Sequence, residues 1–248
     1  MEEFSRKQAR DDYPLLRVKQ LGIGRVRTTL KDLEIAQRRE RMELWSNQGI
    51  RFVLSSIGLP DARAQYLLES SGRLVDSLDI AVADFNSVTV QDVVDLAARH
   101  PLWISKITTS SSNQDPSKPF AHTVSCGALP EEIDAAADFM NSVPASASAK
   151  VVVQVPWGQD PGEVLSRWPL ELDRLVLNVR LAASNPALPN FDEQAILKLL
   201  IYLSEICASS PLLEVELDTF QDFDRGYHPR LGLVDGRSNI HEWLLHVT

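Results

Sequence analysis

Short runs of Val, Ile and Leu alternate with longer segments of helical period along most of this 248-residue chain, and this rhythm constrains the fold more than any other feature. The runs have the length of strands. The segments between them are long enough to cross back over a sheet, so repeated βα units around a parallel sheet are predicted. Eight runs read as strands: Ile23–Thr29, Arg51–Ile57, Leu78–Phe85, Leu102–Ile107, Ala121–Cys126, Val151–Val155, Arg174–Leu181 and Leu213–Thr219. Helices are predicted over Leu30–Asn47, Asp61–Val75, Val90–Arg99, Glu131–Asn141, Gly162–Trp168 and Asp192–Ala208, several opened by Thr, Asp or Pro where a cap or first turn falls. Eight units in a chain of this length predict a single (β/α)8 TIM barrel over 1–248, with a doubly wound open sheet as the second architecture.

Three segments depart from the rhythm. The fourth crossover, Thr108–Phe120, is polar and carries two prolines, so it is predicted to be irregular rather than helical. Ser5–Leu21 predicts an extra N-terminal helix under the barrel, with Pro14 breaking or restarting it. Ile240–His246 reads as a short closing helix.

A net charge of −9 repels phosphate backbones and anionic lipid, so nucleic acid and membrane surfaces are excluded as partners; a small polar or anionic molecule held by a local arginine cluster is not. Cys126 and Cys207 are too few for a disulfide framework and lack metal-ligand spacing. The start, MEEFSRKQARDDYP, has no apolar leader core, and no run of about 18 apolar residues occurs. A cytoplasmic location is therefore expected, and a homo-oligomer is compatible with this composition.

The functional signal lies inside the strands. Alternation in the seventh puts Arg174, Val176, Asn178 and Arg180 on the face opposite Leu175, Leu177, Val179 and Leu181; the eighth sets Glu214, Glu216 and Asp218 against Leu213, Val215 and Leu217. The first groups Arg25, Arg27 and Thr29. In a closed barrel the first and eighth strands are neighbours, so these arginines and acids meet, as buried charges must. Arg25 and Glu214 are expected to form a structural pair. Arg27, Arg180, Glu216 and Asp218, nearer the mouth, are candidates for ligand contact or catalysis, with Asn178 beside them. Asp84 and Asn86 end the third strand, Lys106 the fourth, Ser125 and Cys126 the fifth, and Gln154 and Trp157 flank the end of the sixth. Lys106, if desolvated inside the barrel, is a Schiff-base candidate; pairing with Asp84 is the structural alternative. Cys126 reads as an inert buried thiol.

The densest polar stretch, Asp218–Asn239, follows the eighth strand and holds Asp224, Arg225, Tyr227, His228 and Arg230. Arginines there offer clamps for carboxylate or phosphate, and His228 a proton-transfer group; a salt-bridged plug is the structural alternative. This layout, with the segments ELDTF, DRGY and PRLGLVD, resembles the xylose-isomerase-like sugar-phosphate isomerases and epimerases. The resemblance implies a divalent metal held by Glu, Asp and His at strand ends, and proton transfer by a pair of Glu residues. Glu216 or Asp218 and Asp84 match part of that set, but the fourth strand ends in Lys106 and no Glu or His ends the sixth or seventh, so the ligand set is incomplete. Three functions are carried forward: an isomerase or epimerase of a sugar or hydroxy acid using Glu216, Asp218 and arginines; an imine-forming lyase or aldolase through Lys106; and a non-catalytic barrel that binds a ligand or a protein. A glycosidase lacks its carboxylates, since the fourth and seventh strand ends read Lys106 and Arg180. No P-loop, dinucleotide glycine fingerprint, nucleophile elbow or paired-His helix is present.

Overall fold

The computed structural model describes residues 12–109, 124–181, 192–218, 220, 232–242 and 244. A helix over 12–20 (α1) leads into β1 (Arg25–Thr29), α2 (Ala36–Ser46), β2 (Arg51–Ile57), α3 (Ala62–Ser70), β3 (Val75–Val82), α4 (Val90–Ala97) and β4 (Leu102–Thr109). After these come β5 (Val124–Cys126), α5 (Ile133–Ser142), β6 (Ala149–Val155), α6 (Pro161–Arg167), β7 (Leu175–Arg180), α7 (Glu193–Ser209) and β8 (Glu214–Asp218). Helical structure is continuous through Pro14, which was expected to break or restart it. The caps lie where the sequence placed them: Asp61 accepts from Ala64 N at 2.8 Å, Thr89 and Asp92 form a capping box, and Asp160 with Pro161 opens α6.

Seven strands form one curled parallel sheet in the order β1-β2-β3-β4-β6-β7-β8. This corrects the expectation of a closed eight-stranded barrel: among the described residues β1 and β8 share no backbone pairing, and a seam separates them. The fifth unit is the physical cause. Its strand is three residues long and pairs antiparallel with the end of β4, Ile107 opposite Cys126, instead of entering the parallel sheet. Only Gly127 and Ala128 wedge between the diverging ends of β4 and β6, where Ala128 N donates to Val152 O and Gln154 N to Ala128 O, both at 2.8 Å. Without a full fifth strand the sheet curls but does not meet itself. Of the crossover predicted to be irregular, Thr108 and Thr109 belong to β4, and the rest lies outside the described residues.

The convex face carries the main core. Leu54, Ile80, Ile104, Val153 and Leu177 are fully buried there and belong to the same cluster as Leu33, Leu68, Val93, Ile133 and Met140 from the surrounding helices and turns. Each such side chain contributes about 1.5–3 kcal/mol of transfer free energy. The concave face has a much smaller apolar cluster, Val53, Trp103, Val152 and Val176, beside a run of polar and charged side chains.

The wedge makes a stability test. Gly127 sits at φ 123°, and a Cβ there would lie 2.9 Å from Gln154 Cγ, whose buried amide donates to Thr108 Oγ1 at 2.7 Å. Gly127→Val is expected to cost about 3 kcal/mol by urea unfolding, combining backbone strain with overpacking. A cost below about 1 kcal/mol would contradict the wedge.

Candidate functional site

Register fixes which side chains share the concave face. Arg27 pairs with Val53, Ser55 with Asp79, Asp79 with Trp103, Gln154 with Asn178, Asn178 with Glu216 and Arg180 with Asp218, so these side chains all point one way. They form two polar layers. Nearest the N-terminal ends of the strands, Arg25 pairs with Glu214 and, at 3.3 Å, with Asp76, while Lys150 reaches Glu214 at 2.5 Å. Two cations here meet two carboxylates, the structural network expected for Arg25 and Glu214. Trp103 lies above, with the Arg25 and Arg27 guanidinium carbons 5.9 and 5.5 Å from its ring centroid.

The second layer is the candidate site. Arg27 holds Glu216 through two nitrogens, Nη2 to Oε2 at 2.7 Å, and its Nη1 donates to Asp79 and, at 3.0 Å, to Ser55 Oγ. Asn178 Nδ2 donates to Glu216 Oε2 at 2.7 Å. Asp79, fully buried, also accepts from Ser105 Oγ at 2.5 Å and Ser55 Oγ at 3.1 Å. Arg180 Nε meets Asp218 Oδ2 at 2.6 Å. The first and last strands thus face each other across the seam through ion pairs in place of backbone hydrogen bonds, which leaves long side chains to fill the gap.

Two guanidiniums here face three carboxylates, Asp79, Glu216 and Asp218. Burial pushes the Asp79 carboxyl above the ordinary range against the pull of Arg27 and Ser105, and the charge of Glu216 adds to the rise. Burial disfavours the Arg27 cation, but Asp79 and Glu216 more than offset it and hold Arg27 firmly protonated. Arg180 is different: its side chain is 8% exposed, yet among the described residues Nη1 and Nη2 meet no acceptor. Buried donors left this way cost free energy until something accepts from them.

Arg27, Asn178, Arg180, Glu216, Asp218 and Cys126 line one cavity of about 740 Å³. Burial, and then the charge of Asp79, raises the Cys126 thiol, so it stays protonated at neutral pH.

The structure gathers five of the candidate catalytic and ligand-contact residues, Arg27, Asn178, Arg180, Glu216 and Asp218, and separates Lys106 and Asp84 from them. Lys106 pairs in register with Val82, on the convex parity, and its Nζ is bound by Glu132; it does not line the cavity. Asp84 lies past the end of β3, accepting from Asn86 N at 2.8 Å to cap a short 3-10 turn, so it reaches neither Lys106 nor the arginines. Asp224, Arg225, Tyr227, His228 and Arg230 lie outside the described residues. Asp79 was missed, although alternation in LDIAV sets it, with Ser77 and Ala81, against Leu78, Ile80 and Val82. The metal that the resemblance implies does not fit what is described: no group of three or more His, Cys, Asp or Glu is placed to hold an ion, and Asp79, Glu214, Glu216 and Asp218 are each engaged by a cationic side chain. Among the described residues no helix is long and apolar enough to cross a membrane.

Fold and site together define an open parallel α/β barrel-like sheet with a charged concave site at its seam. Compared with known proteins, the chain matches no family model, no curated protein and no solved structure.

Proposed function

We propose that this protein is a proton-transferring enzyme of isomerase or epimerase type, acting on a small hydroxylated skeleton such as a sugar or its hydroxy acid. The carrying observation is the pair of buried Arg180 Nη groups, which meet no acceptor among the described residues, next to Asp218 in a cavity large enough for a small molecule. Arg180 would clamp a carboxylate or carbonyl oxygen through two N–H groups and hold the charge that builds there as a neighbouring carbon loses its proton. Asp218, 31% exposed at the mouth, takes that proton and returns it. Glu216 has both oxygens tied to Arg27 and one to Asn178, so its part is to fix the polar wall rather than to move a proton. Imine chemistry through Lys106 finds no support, because that amine lies on the other face.

Deuterium exchange tests the proposal. With sugars and 2-hydroxy acids in D2O, the wild type is expected to wash out the hydrogen on the carbon next to the carbonyl or carboxylate. Asp218→Asn should slow this about 10³-fold with a nearly unchanged melting temperature. Exchange that ignores Asp218→Asn, or no exchange across the panel, rejects the reading. In the second case, with acids still bound, a binding-only protein takes its place, which the saturation of Glu216 favours.

A further inference from the structure

The open seam gives the cavity two unlike halves. In a closed barrel, hydrogen bonds between the first and last strands would wall off the concave face from the helices outside. Here the same cavity that touches Arg27, Arg180 and Asp218 continues to Leu15 and Val18 of α1, Ile23 before β1, Leu217 on the outer parity of β8, and Phe220 and Leu233. The helix that was expected beneath the barrel lies instead against this gap, held by Arg17 Nε donating to Ser238 O at 2.8 Å and by Asp12 pairing with Arg41. About 740 Å³ is the volume of roughly 25 water molecules, several times what a four-carbon acid needs. Among the described residues, the side chains that line the outer half are apolar.

We infer that the ligand is an amphiphilic acid: a carboxylate, with a hydroxyl beside it, held at Arg180, and an apolar chain passing through the seam into the gallery between α1 and the outer faces of β1 and β8. This rests on the proposed function for the head group and adds the chain. The unmet donors set the polarity of the head: among the described residues Arg180 Nη1 and Nη2 meet no acceptor, and a carboxylate supplies two, whereas an ammonium supplies none.

Calorimetric titration of the full chain with 2-hydroxybutanoate, 2-hydroxyhexanoate, 2-hydroxyoctanoate and 2-hydroxydecanoate tests this, with n-alkylamines of matched length as counter-probes. Affinity is expected to rise by up to about fourfold per methylene, at least about a hundredfold from four to ten carbons, for the acids alone. Leu15→Trp and Leu217→Phe, both at half-buried positions lining the gallery, should each cut that ten-to-four-carbon ratio at least tenfold in protein whose thermal melt shows it folded. A short acid that binds with no gain from length overturns the inference and leaves the proposed function standing. Equal gains for the amines, or a chain-length ratio unmoved in both folded variants, overturn it as well. If no acid of any length binds, this inference falls, and the proposed function falls with it unless the sugars exchange.

Discussion

Arg27→Met is expected to lower the free energy of unfolding by about 3–5 kcal/mol at pH 7, the largest loss from any single change on the concave face. Arg27 is the shared partner of Asp79, which is fully buried, and Glu216, which is 16% exposed. Methionine keeps much of the side-chain volume beside Trp103 but leaves two carboxylates facing each other with little solvent. Part of the loss should return at low pH, where the variant can protonate one of them. The wild type carries a weaker form of the same effect. Burial raises Asp79 above the usual value of about 3.9, so the folded state holds more protons than the unfolded state above that pH, and stability falls as pH rises through the folded Asp79 pKa. Asp79→Asn removes this contribution, and its stability relative to wild type is expected to move in the variant's favour with rising pH. Urea titrations from about pH 4 upward check both statements; an Arg27→Met loss below about 1 kcal/mol at pH 7, or a pH slope unchanged in Asp79→Asn, would contradict them.

Arg180→Met has the opposite signature. It should weaken binding of a carboxylate ligand by at least about a hundredfold, the usual scale for removing one side of a buried charge-assisted pair, with little loss of stability. Among the described residues the guanidinium it removes is buried with two unmet donors and has Asp218 as its partner, which is partly exposed and can be solvated alone. Arg180→Lys should not restore affinity, because a single ammonium cannot reproduce two parallel N–H bonds. Calorimetry with 2-hydroxyoctanoate, beside a thermal melt, reads both quantities. A large fall in melting temperature with unchanged affinity would make Arg180 a structural residue.

Much of this arrangement was legible in the alternation of single strands. Arg25 and Arg27, Asn178 and Arg180, and Glu214, Glu216 and Asp218 each fall on one parity opposite aliphatic residues, and they meet as that pattern predicts. The same rule applied to β4 puts Lys106 with Leu102 and Ile104 on the helix-packed face, and Ser105 with Trp103 inside. Reading Lys106 as interior gave weight to its position near the strand end over its parity. Asp79 was hidden for the related reason that an acid flanked by aliphatic residues contributes little to a strand signal. The seam was not legible. Ala121–Cys126 has a strand's composition, and composition does not say whether a strand joins a parallel sheet or folds back on its neighbour, which depends on contacts distant in sequence.

A double-mutant cycle on Arg27→Met and Glu216→Gln, read by urea unfolding at pH 7, tests most directly whether charges from β1 and β8 meet across the unpaired seam. If the two side chains share the bidentate contact described, the coupling energy is about 1.5 kcal/mol or more. Single-variant losses that add to within about 0.5 kcal/mol would mean the two strands do not face each other through these residues, and the site built on them would not exist.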